Sequence, residues 1–101
     1  MGHVEAWQLV AVAELARKHG VLFHHCPDSR RCSGPAGLPD LILAGAGGVA
    51  FPELKSSPGL TGPQTVWRWT LRAAGADMPI WLPSDFRDGT AEREIARLGR
   101  R

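Results

Sequence analysis

No stretch of this 101-residue chain approaches the roughly 20 consecutive apolar residues that a membrane-spanning helix needs. The N-terminus has no basic segment followed by a long apolar run, so no secretory signal is expected. Both absences point to a cytoplasmic protein. Cysteine is scarce, with Cys26 and Cys32 alone. His24 and His25 stand beside them, but the spacing matches no standard zinc pattern and further ligands are missing. In a cytoplasmic chain a disulfide is not expected either. Internal repeats and low-complexity segments are absent. Lysine is rare: ten of the twelve basic residues are arginine. Arginine presents a planar fork of donors suited to phosphate oxygens, although a GC-rich coding sequence would produce the same bias. The net charge of +2 is too small on its own to imply a nucleic-acid partner.

What is present fits one domain, residues 1–101. A chain of this length buries roughly 65% of its unfolded surface, enough for a small core, and 44% apolar content is ordinary for a globular fold. Residues 3–19 predict a helix with a broad apolar stripe from Val4 and Trp7 to Leu15 and Ala16, stopped by Gly20. Glu5 in its first turn suits the positive end of the helix dipole. Val21 to His25 reads as a strand, and the Pro-, Ser- and Gly-rich CPDSRRCSGPAG that follows reads as loop.

The central stretch is GLPDLILAGAGGVAFPELK, from Gly37 to Lys55. Its apolar runs LILA and VAF flank a Gly-rich turn and predict two adjacent antiparallel strands. Such a pair brings the start of the first beside the end of the second, and so Asp40 near Glu53. Alternation along the strand puts Glu53 and Lys55 on one face and Leu54 on the other, towards a core. Two carboxylates and an ammonium at a sheet rim suit a hard divalent cation meeting phosphate oxygens. Downstream, Thr61 and Gln64 have capping-box spacing at the start of a helix to Ala74. Val66, Trp67, Thr70, Leu71 and Ala74 fall on one face, with Trp67 expected in the core and Trp69 off that stripe. Met78 to Leu82 reads as the last strand. A short helix with Ile95 and Leu98 inward, capped by Asp88 or Thr90, closes the pattern.

Pro39-Asp40 followed by Glu53-Leu54-Lys55 resembles the PD-(D/E)xK nuclease signature. The wording around it resembles the VRR-NUC branch, especially its short stand-alone phage-type members. The likeness runs through DSRR (Asp28 to Arg31), GLPDLIL, FPELKSSPGLTGPQ, the Trp67 helix and IWLPSDF, covering residues from about Glu5 to Phe86. It implies an α/β fold with a restriction-endonuclease-like core, a central mixed β-sheet flanked by α-helices. It also implies Mg2+, with Mn2+ able to substitute, held by Asp40, Glu53 and the backbone carbonyl of Leu54, with Glu5 a further candidate. Lys55 and Gln64 join the two acids as catalytic residues, so Gln64 has two readings, helix cap and active-site amide. Ser29, Arg30 and Arg31 are the expected DNA contacts; a solvated loop is the plainer alternative.

The implied activity is structure-specific endonucleolytic cleavage of DNA, branched or duplex, with Holliday junctions the expected substrate class. The same residues also fit a phage- or bacterium-encoded subunit active only within a larger replication or packaging complex. Paired cuts on a junction need two centres, and so a homodimer. Trp69, Trp81 and Phe86 form the expected interface patch, unless all three belong to the core.

Overall fold

One stripe of the first helix faces inward. In α1 (Ala6–Lys18) the buried residues are Gln8, Val12 and Ala16, one every four positions. The expected stripe is broader than the buried one: its Val12 and Ala16 are buried, whereas its Trp7 and Val10 remain exposed. Too many apolar residues surround this helix for spacing to select one face. The computed structural model describes residues 6–26, 36–39 and 41–100. After α1 come β1 (Leu22–His25), β2 (Leu41–Gly45), β3 (Gly48–Ala50), β4 (Glu53–Leu54), α2 (Gly62–Ala73), β5 (Ile80–Trp81), α3 (Pro83–Arg87) and α4 (Thr90–Leu98). The molecule is an α/β protein with a three-stranded antiparallel sheet, order β1-β2-β3, and a two-stranded parallel pair, β4-β5.

The expected hairpin is present, pairing Leu43 with Ala50 and Ala44 with Val49. Its second arm stops early. Pro52, fully buried, has no N–H to extend a ladder, and beyond Ala50 the chain changes partner. Phe51, Glu53 and Lys55 donate their amides to the carbonyls of Asp77, Pro79 and Trp81 at 2.8, 2.8 and 3.0 Å. Glu53 is therefore placed by parallel pairing with Ile80 across the α2 crossover, not by the hairpin.

One face of these strands carries the core. Val12 and Ala16 from α1 meet Leu41, Leu43, Ala50, Leu54 and Trp81 from the strands and Ala91, Ile95 and Leu98 from α4. Trp81 is 1% exposed, and Phe86, half-buried in α3, stands edge-on to it at 6.1 Å and to Trp7 at 5.4 Å. The aromatic patch expected at an interface is thus mostly core; Trp69 alone is exposed. α3 is an element the sequence pattern does not announce: Pro83 ends β5 but also starts this helix, and Asp85 Oδ2 accepts from the Leu82 amide at 2.7 Å. Gly89, in the left-handed region, is the N-cap of α4, while Asp88 Oδ1 accepts from the Thr90 amide at 2.9 Å.

The opposite face holds Leu22, His24, Ile42, Ala44 and Val49 on the antiparallel strands, Glu53 on β4 and Lys55 just after it. α2 stands on that side and has no fully buried residue. Of its expected inward face, Trp67 and Leu71 are only half-buried, and Val66, Thr70 and Ala74 are exposed. Cys26 is disulfide-bonded, against the expectation from compartment; the sequence has one other cysteine, Cys32, outside the described residues. Among the described residues no helix is long and apolar enough to cross a membrane.

Candidate active site

β4 is only two residues long, yet it sorts the rim by alternation: Leu54 is buried while Glu53 and Lys55 are half-buried on the other face. Opposite them α2 begins at the N-cap Thr61. Its Oγ1 accepts from the Gln64 amide at 3.2 Å, and Gln64 Oε1 accepts from the Thr61 amide at 3.0 Å. The capping box expected from the sequence is therefore complete. The Gln64 side chain continues past it: Oε1 also accepts from Lys55 Nζ at 2.8 Å, and Nε2 donates to Glu53 Oε1 at 2.8 Å. The amide can lie only this way round. An ammonium and a backbone N–H are donors and must meet its oxygen, while a carboxylate must meet its NH2. The two readings of Gln64 are one geometry, in which anchoring the helix start aims the amide at the rim.

The bridge has an electrostatic consequence. Glu53 and Lys55 make no direct ion pair; a neutral amide stands between them and holds each at a charge-assisted bond length. Lys55 is fixed from its other end as well. Gln8 of α1, 0% exposed, donates Nε2 to the Lys55 carbonyl at 3.1 Å. Sequence reasoning missed Gln8. The available signal was its position, four and eight residues before Val12 and Ala16, where a polar side chain on an inward stripe needs a buried partner.

A third stretch closes on the same place. Gly37 has φ +82°, and a Cβ there would stand 2.5 Å from the Pro63 carbonyl carbon and 2.7 Å from the Gln64 nitrogen. Only glycine permits both that backbone and that approach. The turn leading to the buried Pro39 therefore packs on the first turn of α2, so GLP, ELK and TGPQ converge although they are far apart in sequence.

Of the other expected site residues, Glu5, Ser29, Arg30, Arg31 and Asp40 lie outside the described residues. Leu54 turns its side chain into the core and leaves only its backbone for the site. Among the described residues no group of three or more His, Cys, Asp or Glu side chains is placed to hold a metal. Glu53 is the described carboxylate of the expected pair; its partner Asp40 lies outside the described residues. Elsewhere among the described residues, two carboxyl groups are held below their ordinary range. Glu92 is lowered by the bond from Lys18 Nζ at 2.7 Å and by His19 at 2.9 Å, joining α4 to α1; Asp88 is lowered mainly by the Thr90 amide. Comparison with protein-family models, curated proteins and solved structures finds no match to this chain.

Proposed function

We propose that this chain is a metal-dependent DNA endonuclease of the VRR-NUC type, built on a restriction-endonuclease-like core and acting on branched DNA as a homodimer. The observation that carries the reading is the hydrogen-bonded run Glu53–Gln64–Lys55 on the face of β4 turned away from the core. A carboxylate, an amide and an ammonium locked in one row have no core to stabilise, and their spacing suits a phosphodiester. The donors are oxygens, which fits Mg2+ or Mn2+ better than zinc. Asp40, Glu53 and the Leu54 carbonyl would hold the ion, whose contribution is Lewis acidity towards a phosphoryl oxygen and a water of lowered pKa.

The chain's own residues do the positioning. Gln64 holds the Lys55 ammonium at the rim, where it offsets negative charge developing on phosphate oxygens. Gln8 fixes the backbone of Lys55, so the side chain reaches the rim from a rigid base. The N-terminus of α2 points its positive end at the same place.

The test is cleavage of labelled four-way junction, flap and linear duplex DNA by purified protein with Mg2+ and with EDTA. Asp40→Asn, Glu53→Gln and Lys55→Ala should each abolish metal-dependent cutting while circular dichroism reports an intact fold. Wild-type rates from a folded Glu53→Gln or Lys55→Ala protein would refute the reading. Cleavage by the wild type only after addition of phage or host extract would favour a subunit of a larger complex.

A further inference from the structure

A cavity of about 300 Å3 is bounded by the β2–β3 turn, the last turns of α2 and α4, and the segment leading into β5. That volume lies at the lower end for a small-molecule site. Its lining shares no residue with the rim. Asp77 of the cavity accepts through its carbonyl from the Phe51 amide, four residues and about 13 Å before Lys55. The backbone around the cavity is fixed. Gly75, at φ +90°, ends α2, and its amide and that of Ala76 donate to the Arg72 and Leu71 carbonyls at 3.1 and 2.9 Å. The Gly47 amide donates to the Leu98 carbonyl at 2.8 Å and ties the hairpin turn to α4. The charged side chains of the lining are less fully used. Trp81 Nε1 holds Glu94 Oε2 at 2.7 Å and leaves Oε1. Arg72, Arg97 and the Asp77 carboxylate make no side-chain hydrogen bond or ion pair among the described residues. Arginine in a last turn suits the negative end of a helix dipole, which accounts for Arg72 and Arg97 singly. It does not account for two cations and two carboxylates lining one cavity unpaired, although Glu94 and Arg97 are three apart and neighbours on the surface of α4.

We propose that this cavity binds a small phosphorylated polyol, a sugar phosphate or a nucleoside monophosphate, with Arg72 and Arg97 on the phosphate and Asp77 and Glu94 on the hydroxyls. A guanidinium fork engages two oxygens at once. A carboxylate ligand has only that many, enough for one arginine, whereas a terminal phosphate offers three and meets both. Ionised Asp77 and Glu94 are acceptors only and need donors from the ligand. Hydroxyls beside the phosphate supply them, in the way an acidic side chain holds ribose in dinucleotide sites. Gly47 brings no side chain to the wall, so a ligand approaches the backbone there without obstruction. Inorganic phosphate would satisfy the arginines and leave both carboxylates unmatched. The inference does not rest on the nuclease reading, and its test needs no cleavage.

NMR titration of the isotope-labelled full chain reads it directly, because the Trp81 indole N–H reports on Glu94. Ribose 5-phosphate should shift that resonance and the Gly47 and Asp77 amides saturably, with a Kd of about 1 mM or below. Inorganic phosphate and ribose should each bind at least about tenfold more weakly. Tighter binding of AMP than of ribose 5-phosphate assigns the site to nucleotides; equal or weaker binding assigns it to sugar phosphates. Arg72→Gln, Arg97→Gln and Asp77→Ala should each weaken the preferred ligand about tenfold. Arg17→Gln, on the exposed side of α1 and outside the cavity lining, should leave affinity unchanged. Circular dichroism checks the fold of each variant, and the comparison of ligands on the wild type stands without them. The proposal is overturned if neither phosphate ester moves the Trp81 and Gly47 resonances at about 10 mM. It is equally overturned if inorganic phosphate binds as tightly as the preferred ester, or if both arginine variants fold and keep wild-type affinity.

Discussion

Replacing Gln64 by methionine separates the two uses of its amide. Methionine keeps the length and volume of the side chain but removes three hydrogen bonds: from the Thr61 amide, from Lys55 Nζ and to Glu53 Oε1. The bond to the helix start accounts for about 1 kcal/mol. The two bonds to charged partners would be about 1.5–3 kcal/mol each if fully buried; these are half-exposed, so about 1 kcal/mol for both together is a fair discount. The total is about 2 kcal/mol, or roughly 10 °C in Tm for a chain of this length. Thr61→Ala is the control, since it loses the other half of the capping box and leaves the Glu53–Gln64–Lys55 row intact. It should cost about 1 kcal/mol and leave cleavage unchanged. Gln64→Met should lower cleavage about 100-fold, the scale of losing fixed orientation at a reacting centre. Urea melts and single-turnover cleavage of junction DNA measure both quantities. Equal stability loss and equal cleavage in the two variants would mean that Gln64 is a helix cap and nothing more.

Other expectations concern the scaffold. In Gly47→Ala the new Cβ would run into the carbonyl oxygens of Arg97 in the last turn of α4 and of Arg100 beyond it; backbone cannot yield as a side chain does, so a loss of about 2 kcal/mol is expected in urea melts. Gly62→Ala, with nothing within 4 Å of its Cβ, should be neutral or slightly stabilising. Gln8→Leu leaves the Lys55 carbonyl without its donor and should cost about 1–3 kcal/mol, detectable as a lowered urea midpoint at unchanged slope. The Glu92 link between α4 and α1 should be pH-dependent. Its folded-state pKa lies below the ordinary 4.5, so its contribution is present above that value and is lost as pH falls through the folded one. Stability curves of the wild type and Glu92→Gln should therefore differ at neutral pH and converge in acid; parallel curves would show that the link stabilises nothing.

How much of this was readable in advance varies residue by residue. Glu53 and Lys55 share a face because strands alternate, and a single apolar residue between two charged ones is enough to show it. Thr61 and Gln64 are equally local, three residues apart, and their capping box formed as read. The parallel pairing of β4 with β5 was not readable: each strand has two residues, and a long crossover separates them. The aromatic residues show the same limit. Trp69 and Trp81 look alike in sequence, but only the second faces α4, where its Nε1 donates to Glu94 Oε2 at 2.7 Å. Gln8 was hidden because α1 is apolar nearly all round, and the partner that selects its face is a carbonyl 47 residues away.

The parallel pairing of β4 also sets the order in which the molecule is assembled. The β2–β3 hairpin can close in microseconds, since its arms adjoin. No local turn can bring β4 to its neighbour; the chain must first close the much longer loop that contains α2, and such non-local pairings form slowly. A nascent chain halted before Asp77 would already contain Glu53, Lys55 and Gln64, yet it would lack every carbonyl that the Phe51, Glu53 and Lys55 amides bond. The rim should thus be the last part of the sheet to become ordered and the first to open. Amide exchange at Glu53 and Lys55 should run ahead of exchange at Leu43, and the rim should take shape only when synthesis has passed β5.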